Sequence, residues 1–164
     1  MDVNSLNKWL TLGANLGVLV GIIFLSLQIS QANRIATGTM EEDIRERYSD
    51  LSNSIIENPE FAVTWAKLQS EEPELSNVER QQVFNYARSY WLFFVSAESA
   101  FDKGLLTENT LNVYIDILPS ILEGNPGFAP FFIPFVEGRA ESGNTNAPIM
   151  VQLANQSLLK MGIE

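Results

Sequence analysis

The sequence predicts an all-α protein: a single N-terminal transmembrane helix followed by a small helical bundle domain. Three observations predict this. A long uncharged apolar run lies near the N-terminus, and the remainder repeats its apolar residues at steps of three and four. No segment alternates with period two for long enough to make a strand. The first region is read as residues 1–36, with the span over about 9–29, and the second as an acidic helical domain over 37–164.

The stretch between Lys8 and Arg34 carries no formal charge, and its apolar part is WLTLGANLGVLVGIIFLSLQI, from Trp9 to Ile29. As a helix rising about 1.5 Å per residue it is about 31 Å long. The hydrocarbon core of a bilayer is about 30 Å thick. Trp9 suits the headgroup interface, and a helix satisfies its own backbone groups, as lipid requires. Two other readings compete. A buried core helix is disfavoured because the run exceeds the roughly 18 apolar residues that already favour a span. A cleaved signal peptide finds a small-x-small site at Ser30-Gln31-Ala32. Against it, the run is longer than an h-region of about 7–15 residues, and the start MDVNSLNK carries little positive charge. Arg34, Arg45 and Arg47 follow the span, against Lys8 and the terminal amine before it. That balance leans toward a cytoplasmic second domain on a single-pass protein of the inner membrane.

Inside the run, Gly13, Gly17 and Gly21 recur every four residues and share one helical face. Without side chains there, another helix can approach closely and gain dispersion contacts. Glycine is also simply common in membrane helices. Asn15, Ser26 and Gln28 can add hydrogen bonds between helices, although Ser26 and Gln28 lie near the boundary.

Thr37-Gly38-Thr39 reads as a kink or short hinge. Met40, Ile44, Tyr48, Leu51 and Ile55 then form one apolar stripe. Glu41, Glu42 and Asp43 fall in the expected first turn, where the helix dipole favours acids. Asn58-Pro59-Glu60 ends this helix and caps the next, which carries Phe61, Trp65 and Leu68 and closes at Glu71-Glu72-Pro73. Ser76 and Glu79 make a capping box for a helix reaching about Phe101. Its stripe of Val83, Ala87, Tyr90, Trp91, Phe94 and Phe101 is aromatic enough to be the centre of the domain. Gly104 terminates it. Thr107 caps a helix carrying Leu111, Tyr114, Ile115 and Leu118, which Pro119 is expected to kink or end. Asn125-Pro126-Gly127 is a turn or a new helix start, and Pro126, Pro130 and Pro134 disfavour a smooth helix. A last amphipathic helix is expected from about Asn146, with Ile149, Leu153 and Leu158 on one side. The predicted core includes Trp65, Tyr90, Trp91, Phe94, Phe101 and Leu118.

Composition narrows the chemistry. There is no cysteine and no histidine, which removes disulfides, thiolate metal sites, the commonest general base and the usual zinc and haem ligands. No cofactor or metal is expected. With 10 basic against 20 acidic residues, the net charge of −10 repels phosphate backbones, so no nucleic-acid partner is expected. Anionic headgroups are repelled as well, and membrane attachment must rest on hydrophobic burial. Glu98 stands beside the aromatic stripe, between Phe94 and Phe101. It reads either as a buried polar site or as a carboxylate bonded to a neighbouring helix. Glu41/Arg45 and Glu42/Glu46 read as a solvated helix face. Phe128, Phe131, Phe132 and Phe135 crowd one short segment, either as a core plug or as a docking surface for a partner or the membrane interface. No nucleophile–base pair or phosphate loop stands out, so the chain is not expected to be an enzyme.

Three phrases, ANLGVLVGIIFLSLQISQANR, NPEFAVTW and SAESAFDKGLLTENT, with NPGFAPFF more loosely, resemble a group of small uncharacterised bacterial membrane proteins. The resemblance covers most of residues 9 to 132. It implies one N-terminal span, a helical domain and no assigned activity. The chain departs from that group after Gly127, in its prolines and aromatics. The leading expectation is a membrane-tethered accessory or scaffold protein, a non-catalytic subunit of a membrane complex. Its partners would be the bilayer and another transmembrane helix, from a second copy or a larger complex. The alternative is a membrane-anchored ligand-binding module with a pocket near Tyr90, Trp91 and Glu98.

Overall fold

The computed structural model describes residues 3–141, so the helix expected from Asn146 lies outside the described residues. Within them the chain is all-α, with five helices and one 3-10 turn and no strand. The helices are α1 (Val3–Glu57), α2 (Pro59–Lys67), α3 (Asn77–Asp102), α4 (Glu108–Gly124) and α5 (Ala129–Glu141). The 3-10 turn, Pro126–Phe128, precedes α5. The chain divides into two compact units, Met1–Thr39 and Met40–Glu164.

The first unit is helical throughout its described residues, and its long apolar side chains are exposed. An 18-residue window of α1 reaches a mean hydropathy of 2.1, and none of it is buried. Helical structure continues through Thr37-Gly38-Thr39, and the boundary between the two units falls just after Thr39. Glycine keeps its N–H and so keeps its place in the hydrogen-bond ladder, at a cost near 1 kcal/mol relative to alanine. Glu41, Glu42 and Asp43 therefore stand in the interior of a helix, not in a first turn.

The second unit starts on the stripe predicted from Met40. Ile44 is buried, while Met40, Tyr48, Leu51 and Ile55 are half-buried and pack on the core. Asn58 ends α1 and caps α2, its carboxamide oxygen accepting from the Glu60 and Phe61 N–H groups at 3.1 Å each. α2 stops at Lys67, earlier than Glu71-Glu72-Pro73. Ser76 and Glu79 form the reciprocal box that opens α3: Ser76 Oγ accepts from the Glu79 N–H at 3.3 Å, and Glu79 Oε2 from the Ser76 N–H at 2.8 Å. Gly104 ends α3 with φ of 69°, the left-handed conformation that releases the Leu105 N–H to the Ala100 carbonyl at 2.9 Å.

α3 is the central element, packed against α2, α4 and α5. Of the predicted core, Tyr90, Trp91, Phe94 and Leu118 are buried, and Trp65 and Phe101 are half-buried against it. Pro119 neither ends nor divides α4, which runs on to Gly124. Proline inside a helix loses about 3 kcal/mol relative to alanine. The buried side chains of Ile115, Leu118 and Leu122 on either side of it offset that loss. α5 likewise tolerates its prolines. Pro130 falls in the first turn, where an N–H has no helical acceptor, and Pro134 is exposed, so water can reach the carbonyl it leaves unpaired.

Candidate functional sites

The phenylalanine cluster resolves into two kinds of residue. Phe128 and Phe132 are fully buried at 0% exposure and join the core: Phe128 packs at a tilt against Trp65, 5.1 Å between ring centroids, and Phe132 meets Trp91 edge-on at 5.8 Å. The docking role is corrected for these two, because neither has surface to offer. Phe131 and Phe135 are half-buried, with Phe135 against the part-exposed Phe84 at 5.4 Å. Close packing reaches the backbone at Gly127. Its N–H donates to the Leu68 carbonyl at 2.9 Å, and a Cβ placed there would meet the Ser70 carbonyl oxygen at 2.5 Å. Only glycine fits where the 3-10 turn crosses the end of α2.

Tyr90 and Trp91 are buried side chains of α3. The Tyr90 ring is 1% exposed and enclosed by Phe94, Tyr86, Phe128 and Tyr48, and Trp91 faces α5. Glu98 is buried on the same helix. Aromatic rings fill the space around Tyr90. An open groove of about 470 Å³ lies further round α3, between Leu51 and Arg47 of α1 and Tyr86, Leu92 and Phe93 of α3. A broader polar depression of about 1000 Å³ surrounds the loop between α2 and α3. Of its charged groups, Lys67 Nζ meets Glu79 Oε1 at 2.5 Å and Arg80 Nε donates to the Leu75 carbonyl at 3.3 Å.

The four tyrosines of the chain meet where α1, α3 and α4 converge. Ring centroids lie 5.3 Å apart for Tyr48 and Tyr114, 5.8 Å for Tyr86 and Tyr90, and 6.5 Å for Tyr48 and Tyr90. The Tyr86 hydroxyl donates to the Leu51 carbonyl at 3.4 Å. The Tyr90 hydroxyl is buried without a hydrogen-bond partner of normal geometry. Burial, reinforced by Tyr48 nearby, raises the ionisation of both far above the ordinary tyrosine range. These hydroxyls stay neutral around neutral pH.

Two carboxylates hold helices together. Glu41 Oε1 accepts from the Thr107 and Thr110 hydroxyls at 2.9 Å each and from the Thr107 N–H at 3.4 Å, so α1 caps the start of α4. Those bonds lower its pKa. The pairing read as Glu41/Arg45 is corrected: Arg45 pairs with Glu42. Glu79 closes the capping box and also receives Lys67 from α2, which lowers its pKa to about 2. Both acids are structural. No three His, Cys, Asp or Glu side chains converge in a metal-binding arrangement among the described residues.

The glycines of the first unit stand apart from all of this. A Cβ added at Gly13, Gly17 or Gly21 would meet nothing within 4 Å. The face they share is open, as the apolar side chains around it are. No protein-family model, curated protein or solved structure matches the chain.

Proposed function

We propose that the chain is a single-pass, membrane-tethered accessory or scaffold protein and a non-catalytic subunit of a membrane complex. Residues 9–29 cross the bilayer, the second unit lies on the cytoplasmic side, and Gly13, Gly17 and Gly21 receive another membrane helix. The observation that carries this is an apolar helical window of mean hydropathy 2.1 with none of its length buried. In water such a surface is a large unpaid hydrophobic term; in lipid it is the natural state. A core helix would be covered. A cleaved leader is disfavoured because Ser30-Gln31-Ala32 lies inside continuous helix, whereas a protease binds its substrate extended. The second unit supplies a close-packed aromatic core and carboxylates committed to helix contacts, which suits a scaffold better than an enzyme.

The test is fractionation followed by co-purification. The full chain should stay in the pellet after carbonate extraction and keep its N-terminus; a soluble chain beginning near Asn33 contradicts the proposal. In gentle detergent, Gly17→Ile should lose a partner that Leu12→Ile retains, since a branched side chain separates the helices only on the glycine face. Equal recovery by both variants would remove the glycines from the reading.

A further inference from the structure

The same helix carries a second face. Thr11, Asn15, Val18, Ile22, Leu25 and Ile29 follow one another at alternating steps of four and three, the spacing of a seam between two helices. All six are exposed. At about 100° per residue, Asn15 lies about 160° around the helix from Gly17. The seam is therefore not the glycine face. Its N-terminal end is polar: Asn7, Lys8, Thr11 and Asn15 line one strip of α1. Thr11 satisfies its hydroxyl on the Asn7 carbonyl at 2.9 Å. Asn15 has no such bond, and it sits two turns inside the apolar run that begins at Trp9.

We propose that this face pairs with the same face of a second copy, as a parallel dimer held in register by Asn15 against Asn15. This rests on the bilayer reading of residues 9–29. Two chains inserted the same way meet about a two-fold axis along the membrane normal, so each seam residue faces its own counterpart. A carboxamide suits that position because it is both donor and acceptor. Two copies bond each other without any other group, where a lysine or a carboxylate would repel its twin. Ile22 and Ile29 share the column of Asn15, and Thr11, Val18 and Leu25 form the other, so beyond Asn15 the seam is apolar and can pack closely. A single asparagine in such a seam sets register and oligomeric state. The glycine face stays free for a different helix.

The chain has no cysteine, so single-cysteine variants report one position each. Full chains carrying Val18→Cys or Ile29→Cys on the seam, or Phe24→Cys on the glycine side, are oxidised in native membranes. Disulfide-linked dimers are expected at 18 and 29, several-fold above those at 24. Adding Asn15→Leu to Val18→Cys should lower the yield by roughly three- to tenfold, the range of one hydrogen bond between membrane helices, and Asn15→Gln should restore most of it. A maximum at 24, no dimer at any position, or an unchanged yield with Asn15→Leu overturns the dimer while the chain still pellets after carbonate. A chain that leaves the pellet overturns the bilayer reading first.

Discussion

Residues 9–29 and 40–57 belong to one helix, and their side chains follow opposite rules. The first stretch carries exposed apolar side chains all round, interrupted by Thr11, Asn15, Ser26 and Gln28. The second has one apolar stripe, turned onto the core through Ile44 and Tyr48, and charges elsewhere. Backbone hydrogen bonding is the same in both, so secondary structure does not separate them. What separates them is where their apolar side chains lie: exposed in one stretch, packed on the core in the other. A helix apolar all round needs a different solvent from a helix with a stripe.

The largest test of that contrast is a core truncation. Phe94 is 1% exposed at the centre of the second unit. Phe94→Ala should destabilise that unit by about 3–5 kcal/mol, through lost transfer energy and the cavity left behind. Ile22→Ala, in the first stretch, should leave the unfolding transition of the second unit unmoved. Thermal melts of the full chain in detergent, followed by near-ultraviolet circular dichroism, compare the two. Equal shifts would erase the distinction.

A charge probes the contrast from the other side. Val18→Arg should weaken membrane insertion by about 2.5–3.5 kcal/mol near the centre of a span. Ser49→Arg, on the exposed side of the second stretch, should stay within about 0.5 kcal/mol of wild type in stability. Glycosylation-site reporters of insertion measure the first and denaturant titration the second. Unimpaired insertion of Val18→Arg would show that the apolar run is not across a bilayer.

Glycine separates the two units in the same way. Gly127→Ala drives a Cβ into the Ser70 carbonyl and the Pro73 ring, and overpacking of this kind amounts to about 1–3 kcal/mol. Gly13→Ala adds a methyl to open space and should leave the second unit unchanged. Chemical denaturation midpoints decide between these outcomes.

What the sequence shows and what it hides divides along range. The caps at Asn58, Ser76 and Thr107 and the stop at Gly104 are short-range chemistry, and each is legible from residue type and spacing. The stripes through Ile44 and Phe94 are legible because burial must follow the helical period. Glu41 on Thr107 is not, since it joins residues 66 apart. Nor is the tolerance of Pro119, which depends on burial on either side of it. Gly127 looks like any turn glycine until the α2 backbone is in place against it. Among the candidate sites, the open glycine face follows directly from spacing. What an aromatic stripe does not reveal is which neighbours fill the space it faces; around Tyr90 they are the rings of Tyr48, Tyr86, Phe94 and Phe128.

Acid should loosen the second unit by a smaller amount. The Lys67 ammonium and the Ser76 N–H hold Glu79 down to about 2, from an ordinary value of 4.5. A depressed carboxylate contributes stability that is complete above its unfolded pKa and is lost as pH falls through its folded one. The contribution of Glu79 should therefore fade between about pH 4.5 and 2, and Glu41, depressed by Thr107 and Thr110, fades over the same side of the scale. Both groups are solvent-accessible, which keeps the effect modest. Glu79→Gln should flatten the dependence of the melting temperature on pH in that window; an unchanged slope would mean that other acids carry it.

The smallest expected effect is also the most specific to the joint between α1 and α3. Tyr86 and Tyr90 stand one turn apart, and both are largely withdrawn from water, yet their hydroxyls differ. That of Tyr86 reaches the Leu51 carbonyl in the 40–57 stretch at 3.4 Å. That of Tyr90 has the Tyr48 hydroxyl beside it without the geometry of a bond. Removing a bonded hydroxyl loses about 0.5–1.5 kcal/mol, whereas removing an unsatisfied buried one relieves a desolvation penalty of about 1–3 kcal/mol, less whatever the small void costs. Tyr86→Phe should therefore destabilise the second unit slightly. Tyr90→Phe should be neutral or stabilising by up to about 1 kcal/mol. Melting both variants side by side, with Tyr48→Phe as a third arm, reads the difference. If Tyr90→Phe is the more damaging of the pair and Tyr48→Phe matches it, the two hydroxyls form a working bond, and the hold of α3 on the 40–57 stretch passes through Tyr48 instead of through Leu51.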